Sequence, residues 1–371
     1  MFHVKQLGDV IMKYYELTKI LKKKATYNMI IGERSNGKTY SVLKHCLEQY
    51  VKKGGEFAII RRWREDVIGR RASGIFSALN SDGTVEKLTN GEFTFVYYYA
   101  GKFYLANRDD KGKTIYSDTD CCGYTFALSE NEHNKSTSYP KVTNIFFDEF
   151  LTKNAYLADE FVLFMNTLST IIRQRDDVTI FMCGNTVNKY SPYFKEFGLN
   201  HVAKQKQGTI DVYTYGNSKL KVAVEYCGTL VEQKKNNFYF AFNNPKLSMI
   251  TSGVWELNIY PHLPFKYYPK DILYTFFIDF EDNLLQCEII SNNSGDMILY
   301  IHRKTSKLQN EKQDLIFTLQ DTGSRNIVKN ILKPFNNVTS KIVWFFSNSK
   351  VFYQDNEVGN IVENYLNICR S

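Results

Sequence analysis

The sequence predicts an α/β fold built on a mainly parallel sheet, followed by a smaller α/β unit. Three observations carry this. A short apolar strand, a glycine-rich loop and a helix follow one another across residues 27–47. Strands alternate with helical segments up to about residue 200, and beyond about 265 several strands precede further α and β elements.

Residues 11–24 have amphipathic helical spacing and end in Lys22-Lys23-Lys24. Tyr27 to Ile31 reads as an apolar strand, and Ser41 to Leu47 has the spacing of a helix. Phe57 to Ile60 is a compact strand that ends in Arg61-Arg62-Trp63-Arg64. Residues 92–99 and 102–106 form a hairpin pattern turned at Ala100-Gly101, and 123–128 is a further strand. Asn144 to Phe147 is a buried-type strand running into Asp148-Glu149; a helical pattern at 158–172 and the strand Val178 to Met182 follow. Strands separated by helices require crossovers, which make the sheet parallel.

Between about 200 and 260 the pattern loosens, and the polar runs Lys204 to Gly208 and Gln233 to Asn237 read as linker or lid. After that, strands are expected at 271–278, 284–290, 297–301 and 341–346, with helices near 325–333 and 357–369. The expected organisation is therefore a first domain over 1–200, a lid or linker over 201–262 and a C-terminal domain over 263–371.

The chemistry concentrates in Gly32-Glu33-Arg34-Ser35-Asn36-Gly37-Lys38-Thr39, which fits G-x-x-x-x-G-K-[ST] without a mismatch. A strand, such a loop and a helix turn backbone N–H groups and a helix N-terminus toward a phosphate. Gly32, Arg34, Ser35, Asn36, Gly37, Lys38, Thr39 and the adjoining Tyr40 are thus expected to hold a nucleotide, with Lys38 on the β- and γ-phosphates and the Thr39 hydroxyl on Mg²⁺. Asp148 is placed to hold the metal's hydration shell, and Glu149 to polarise a water for attack on the γ-phosphate. A pure GTP switch does not need that glutamate, and the guanine-reading pattern fails at Ser191 in Asn188-Lys189-Tyr190-Ser191, so ATP is the expected substrate. Asn185, beyond the strand at 178–182, lies where a polar side chain can sense the γ-phosphate.

Arg173 and Arg175 end the helical segment, where cations are favourable with no further role. The alternative is an arginine finger acting on a neighbouring subunit. Arg61, Arg62 and Arg64 belong to the densest positive patch and are candidates for a trans-acting or DNA-contacting role, or for a solvated face. The net charge of +8 suits a polyanionic partner. Seven scattered cysteines form no metal spacing and read as free thiols of a reducing compartment. No signal-peptide pattern or long uncharged apolar run stands out, so a soluble intracellular protein without a membrane partner is expected.

With these residues in hand, the chain resembles the DNA packaging ATPases of phi29-like phages, relatives of the large terminases. The likeness runs through Gly32 to Thr39 and Phe57 to Arg62, then Ser138-Tyr139-Pro140 leading into Thr143 to Phe150. Arg173-Gln174-Arg175, Gly184 to Val187 and Ser191 to Phe194 complete it, so it covers roughly residues 25–200. The resemblance implies a P-loop NTPase domain of the ASCE type and an RNase H-like C-terminal domain that is a nuclease remnant. It also implies a homopentameric ring at the portal, or connector, of an empty procapsid in the host cytoplasm, pumping double-stranded DNA with ATP and Mg²⁺. Arg173 would be the trans-acting finger and Arg64 or a neighbour a second interface cation. A packaging RNA between ring and capsid is typical of the best-known members. Two rival readings keep the loop but give the protein another role. One is a terminase that cuts DNA through Asp279, Glu281 and Asp282, the other a regulatory nucleotide switch. No convincing partner acids follow those three, so cleavage is the less favoured.

Overall fold

The computed structural model describes residues 14–130, 137–152, 156–228, 258–291, 295–308, 310, 313–320 and 323–370. They form two compact units that meet in sequence at residues 256 and 257.

The first unit begins with α1 (Thr18–Leu21), β1 (Tyr27–Gly32), α2 (Lys38–Lys53) and β2 (Glu56–Arg61). Three short helices follow, α3 (Gly69–Gly74), α4 (Ser77–Ser81) and α5 (Thr84–Leu88), then β3 (Phe95–Tyr99), β4 (Lys102–Arg108) and β5 (Thr114–Ala127). The unit continues through β6 (Val142–Asp148), α6 (Glu160–Ile172), β7 (Thr179–Asn185), α7 (Pro192–Glu196), β8 (Thr209–Thr214) and β9 (Lys221–Tyr226). The sheet runs β3-β4-β5-β2-β6-β7-β1-β9-β8 among the described residues. Every pairing from β5 to β9 is parallel, and the pairings at the two edges are antiparallel.

Strands covered on both faces need continuous apolar runs, and the central ones have them. Met29-Ile30-Ile31, Ala58-Ile59-Ile60, Ile145-Phe146-Phe147 and Ile180-Phe181-Met182 are all buried. Gly123 is register partner to Phe57. A Cβ there would lie 2.2 Å from the Phe57 ring, so only glycine lets that ring cross β5 to reach Phe76 and Phe103.

Two differences from the expected elements have clear causes. The helix expected over 11–24 is confined to Thr18–Leu21, residues 11–13 lying outside the described ones. Tyr15 donates its N–H to the Asn36 carbonyl and its own carbonyl accepts from the Ser41 hydroxyl, which holds the preceding segment along the loop instead. Residues 209–226, expected within a linker, are two strands, and β9 pairs in parallel with β1. The buried triplet Val222-Ala223-Val224 makes the strand, but it is too short to stand out between charged neighbours. The run Gln233 to Asn237 lies outside the described residues.

The second unit contains β10 (Ile272–Phe280), β11 (Asn283–Ser291), β12 (Met297–Arg303), β13 (Ile316–Thr318) and β14 (Ile327–Val328), then α8 (Asn337–Ser347), β15 (Val351–Tyr353) and α9 (Asn356–Arg370). Its sheet order is β14-β13-β10-β11-β12-β15. β10, β11 and β12 form an antiparallel meander, and the outer strands add in parallel. On α9, Val358, Ile361, Val362, Tyr365, Leu366 and Cys369 are buried at helical spacing.

Here too the sequence reading needs correction. The stretch 341–346, expected as a strand, lies inside α8. Its apolar run fits either structure by pattern alone. The reciprocal cap between Asn336 and Thr339 starts a helix, and Ile342 and Phe345 then fall on its buried side. The segment 325–333, expected as a helix, holds the two-residue β14 and a turn.

A polar cluster sits on β11 and β12. Buried Glu288 accepts from the Tyr267 hydroxyl at 2.5 Å and from Gln286 Nε2 at 2.5 Å, and His302 Nε2 lies 3.7 Å away, an ion-pair distance. Burial pushes the Glu288 carboxyl up, but His302, Tyr267 and Gln286 outweigh it and hold it below its ordinary 4.5. Burial pulls His302 down, yet Glu288 and the Arg303 carbonyl hold it above its ordinary 6.5. Glu288 therefore adds stability above 4.5, lost as pH falls through its lower folded value; His302 adds stability below 6.5, lost as pH rises through its higher folded value. The pair contributes in full between about pH 4.5 and 6.5. In His302→Gln, the thermal midpoint of this unit should lose its maximum in that window, read by calorimetry across the pH range.

Candidate nucleotide site

β1 delivers the chain to the edge where all the parallel strands end, and the glycine loop carries it into α2. Ser35 (φ 59°) and Gly37 (φ 91°) make left-handed bends that bring the loop back to the helix N-terminus. A Cβ on Gly37 would come 3.2 Å from Tyr14, so the loop also needs glycine for close packing.

Lys38 is buried, and its Nζ donates to the Glu33 carbonyl at 2.5 Å, Asn36 Oδ1 at 3.1 Å, the Gly32 carbonyl at 3.3 Å and Asn185 Oδ1 at 3.3 Å. Burial draws its pKa below the ordinary lysine value. The Thr39 hydroxyl donates to Asp148 Oδ1 at 3.1 Å. The register sets Gly32 beside Asn185 and Asp148 beside Cys183, which brings β1, β6 and β7 level at this edge.

Asp148 is buried and Glu149 is exposed. Arg61 spans them, with Nη2 at 2.5 Å from Asp148 Oδ2 and Nη1 at 2.8 Å from Glu149 Oε2. Burial pushes the Asp148 carboxyl up, and the Arg61 guanidinium opposes it. Loop, acids and Asn185 line one cavity of about 760 Å³, whose other wall includes Tyr14, Tyr40 and Leu79. That is room for a nucleotide. The hydroxyl of Thr39 and carboxylate of Asp148 are hard oxygen donors that suit Mg²⁺ completed by phosphates and water. Among the described residues no group of three or more His, Cys, Asp or Glu could hold a metal by itself.

Gly32, Arg34, Ser35, Asn36, Gly37, Lys38, Thr39, Tyr40, Asp148, Glu149 and Asn185 thus lie together; Arg34 through Tyr40, the two acids and Asn185 line the cavity, and Gly32 lies just behind it. The arginines separate. Arg61, grouped with the trans-acting or DNA-contacting cations, pairs instead with the two acids of its own chain, because β2 lies next to β6. Arg62 is buried against Glu160 and presents no surface cation. Half-buried Arg175 donates to the Val142 and Tyr139 carbonyls and pairs with Asp177, tying down the approach to β6. Arg64 and Arg173 face outward, Arg64 paired with Glu130 at 3.1 Å and Arg173 donating to the Thr137 carbonyl at 3.3 Å.

Sequence reasoning missed the far wall. Tyr40 donates to Asp82 at 2.7 Å, and Leu79, Ser81 and Asp82 close the cavity from α4 and its end. No motif marks that helix. Asp279, Glu281 and Asp282 stand at the β10–β11 turn, where Glu281 (φ 49°) and Asp282 (φ 60°) make the tight reversal.

Fold and site together define an α/β protein with a phosphate-loop motif at the C-terminal edge of a mainly parallel sheet. The chain belongs to the Podovirus DNA encapsidation protein (Gp16) family, whose model matches residues 11–239. It is 28% identical over 175 residues to a DNA packaging protein of Bacillus phage B103, covering 46% of this chain and 48% of that one. It is 26% identical over 189 residues to the DNA packaging protein of Bacillus phage phi29, 50% of each chain. The chain thus spans about half the length of the curated relatives it matches. Its fold is similar to that of a solved Phi-28 gp11 DNA packaging motor chain, with a TM-score of 0.53 at 17% identity over 97% of this chain and 99% of that one. No helix among the described residues is long and apolar enough to cross a membrane.

Replacing Arg61 by Gln leaves buried Asp148 without its cation. Urea unfolding of the first unit should then show a loss of about 3 kcal/mol. ATP with Mg²⁺ should recover part of that loss.

Proposed function

We propose that this chain is an ATP-driven motor that moves double-stranded phage genomic DNA into a preformed capsid. The observation that carries the reading is the convergence of Lys38, Thr39, Asp148, Glu149 and Asn185 on one cavity in a chain of the encapsidation family.

The phosphates would lie on the loop N–H groups and the N-terminus of α2. Lys38 would exchange its loop carbonyl partners for phosphate oxygens. Thr39 and Asp148 would hold Mg²⁺, which neutralises charge developing on the transferred phosphoryl group. Glu149 would accept the proton of the attacking water, and Asn185, bonded to Lys38, would register the γ-phosphate. Arg173, exposed at the end of α6, would complete the site of the next subunit in a homopentameric ring. DNA contact would be made to the backbone, since a packaging motor must ignore sequence. The portal of the procapsid, and a packaging RNA in members that use one, would be the other partners, with the protein moving from host cytoplasm to the portal vertex.

The test is steady-state ATP hydrolysis with and without duplex DNA, for wild type and Glu149→Gln. The expected result is turnover stimulated by DNA that falls by about 10²–10⁴-fold in the variant. Tight ATP binding with negligible turnover, unaffected by DNA or procapsid, would make the chain a switch and end the motor reading.

A further inference from the structure

Arg62 stands one residue beyond β2 with its guanidinium inside the first unit. Nε pairs with Glu160 Oε2 at 2.7 Å and Nη2 with Glu160 Oε1 at 2.9 Å. The same fork donates to two successive carbonyls, those of Phe150 at 2.8 Å and Glu149 at 3.3 Å. The Glu160 side chain has no exposure, and it also accepts from the Tyr193 hydroxyl at 2.7 Å and the Leu157 N–H at 2.8 Å.

The conformation of Glu149 gives this network its significance. Its φ of 60° is left-handed, which is strained for a residue with a side chain and persists only where the surroundings impose it. The peptide joining Glu149 to Phe150 is held from both sides, its carbonyl by Arg62 and its N–H by the Cys183 carbonyl of β7 at 3.1 Å. With that plane fixed, the Glu149 side chain leaves the backbone toward the cavity and Arg61. An apolar pair can stabilise a core as well as a buried ion pair does. What the ionic arrangement adds is direction, since the planar guanidinium, gripped on one edge by Glu160, aims its remaining N–H groups at the two carbonyls.

We propose that Arg62, held by a Glu160 that Tyr193 in turn bonds, is a positioning residue that fixes the backbone of Glu149 for water activation. This rests on the ATPase reading above. Arg62 is not among the residues that line the cavity, and it acts through the backbone carbonyl of Glu149. Because Glu160 begins α6 and Arg173 caps its end, the same ion pair joins the site to the helix that carries the outward-facing arginine.

The test uses the 371-residue chain with the paired substitution Arg62→Met and Glu160→Met, which removes both charges together. Thermal midpoint, affinity for a fluorescent ATP analogue, kcat at saturating ATP and a crystal structure are compared with wild type. The expected result is an affinity within about twofold, kcat lower by about tenfold or more, and Glu149 released from the left-handed region. Arg62→Lys keeps a cation beside Glu160 but loses the fork, and should show the same split between kcat and affinity if the paired variant does not fold. Wild-type turnover in either variant, or kcat and affinity falling together in step with the midpoint, would overturn the proposal. If wild type binds ATP without hydrolysing it, the ATPase reading fails alone. The conformation of Glu149 in the variants then still decides whether Arg62 holds it.

Discussion

Two carboxylates side by side at the end of a buried strand repel each other, and Asp148 is also out of water. The fork of Arg61 answers both problems by bridging them at 2.5 and 2.8 Å. Much of the first unit follows from that bridge. β2 must lie against β6, and the pairing of Ile60 with Phe147 brings Arg61 level with Asp148. β7 on the other side of β6 then supplies Asn185 and the Cys183 carbonyl, and β1 beyond it brings the loop within reach of both. The site is an outcome of sheet order, with each strand contributing at its C-terminal end.

What the sequence made legible was local. The phosphate loop is a contiguous string whose glycines answer the backbone's own needs, and the apolar runs of β1, β2, β6 and β7 are long enough to read. Arg61 was visible as a cation, but its partners are 87 and 88 positions away, and only the pairing of β2 with β6 brings them close. Arg62 and Arg64 are neighbours in sequence and opposite in fate, one inside and one in solvent, because β2 ends at Arg61 and Arg64 already belongs to the short helical turn at 64–66. β9 escaped notice for a different reason: a short apolar run, Val222 to Val224, suffices when the adjacent strand is already in place.

The second unit was harder to read where apolar runs were ambiguous. Lys341 to Phe346 is helical because a cap precedes it, a fact that sits outside the run itself. Its acids show the same dependence on context. Glu281 and Asp282 have left-handed φ values in a two-residue hairpin turn, which gives them a conformational reason to be there. Burial, with the nearby Asp282 adding to it, pushes the Asp279 carboxyl up, and His302 with Glu288 forms a separate polar centre on β11 and β12.

Charge also gives the first unit its internal connections. Arg61 and Arg62 leave the end of β2 in different directions, one to the carboxylates and one to the backbone that carries them. Through Glu160 the second reaches α6, whose 13 residues span about 20 Å and end at Arg173. A continuous chain of contacts, made of a guanidinium, a carboxylate and a helix, thus runs from the peptide of Glu149 to the far end of α6.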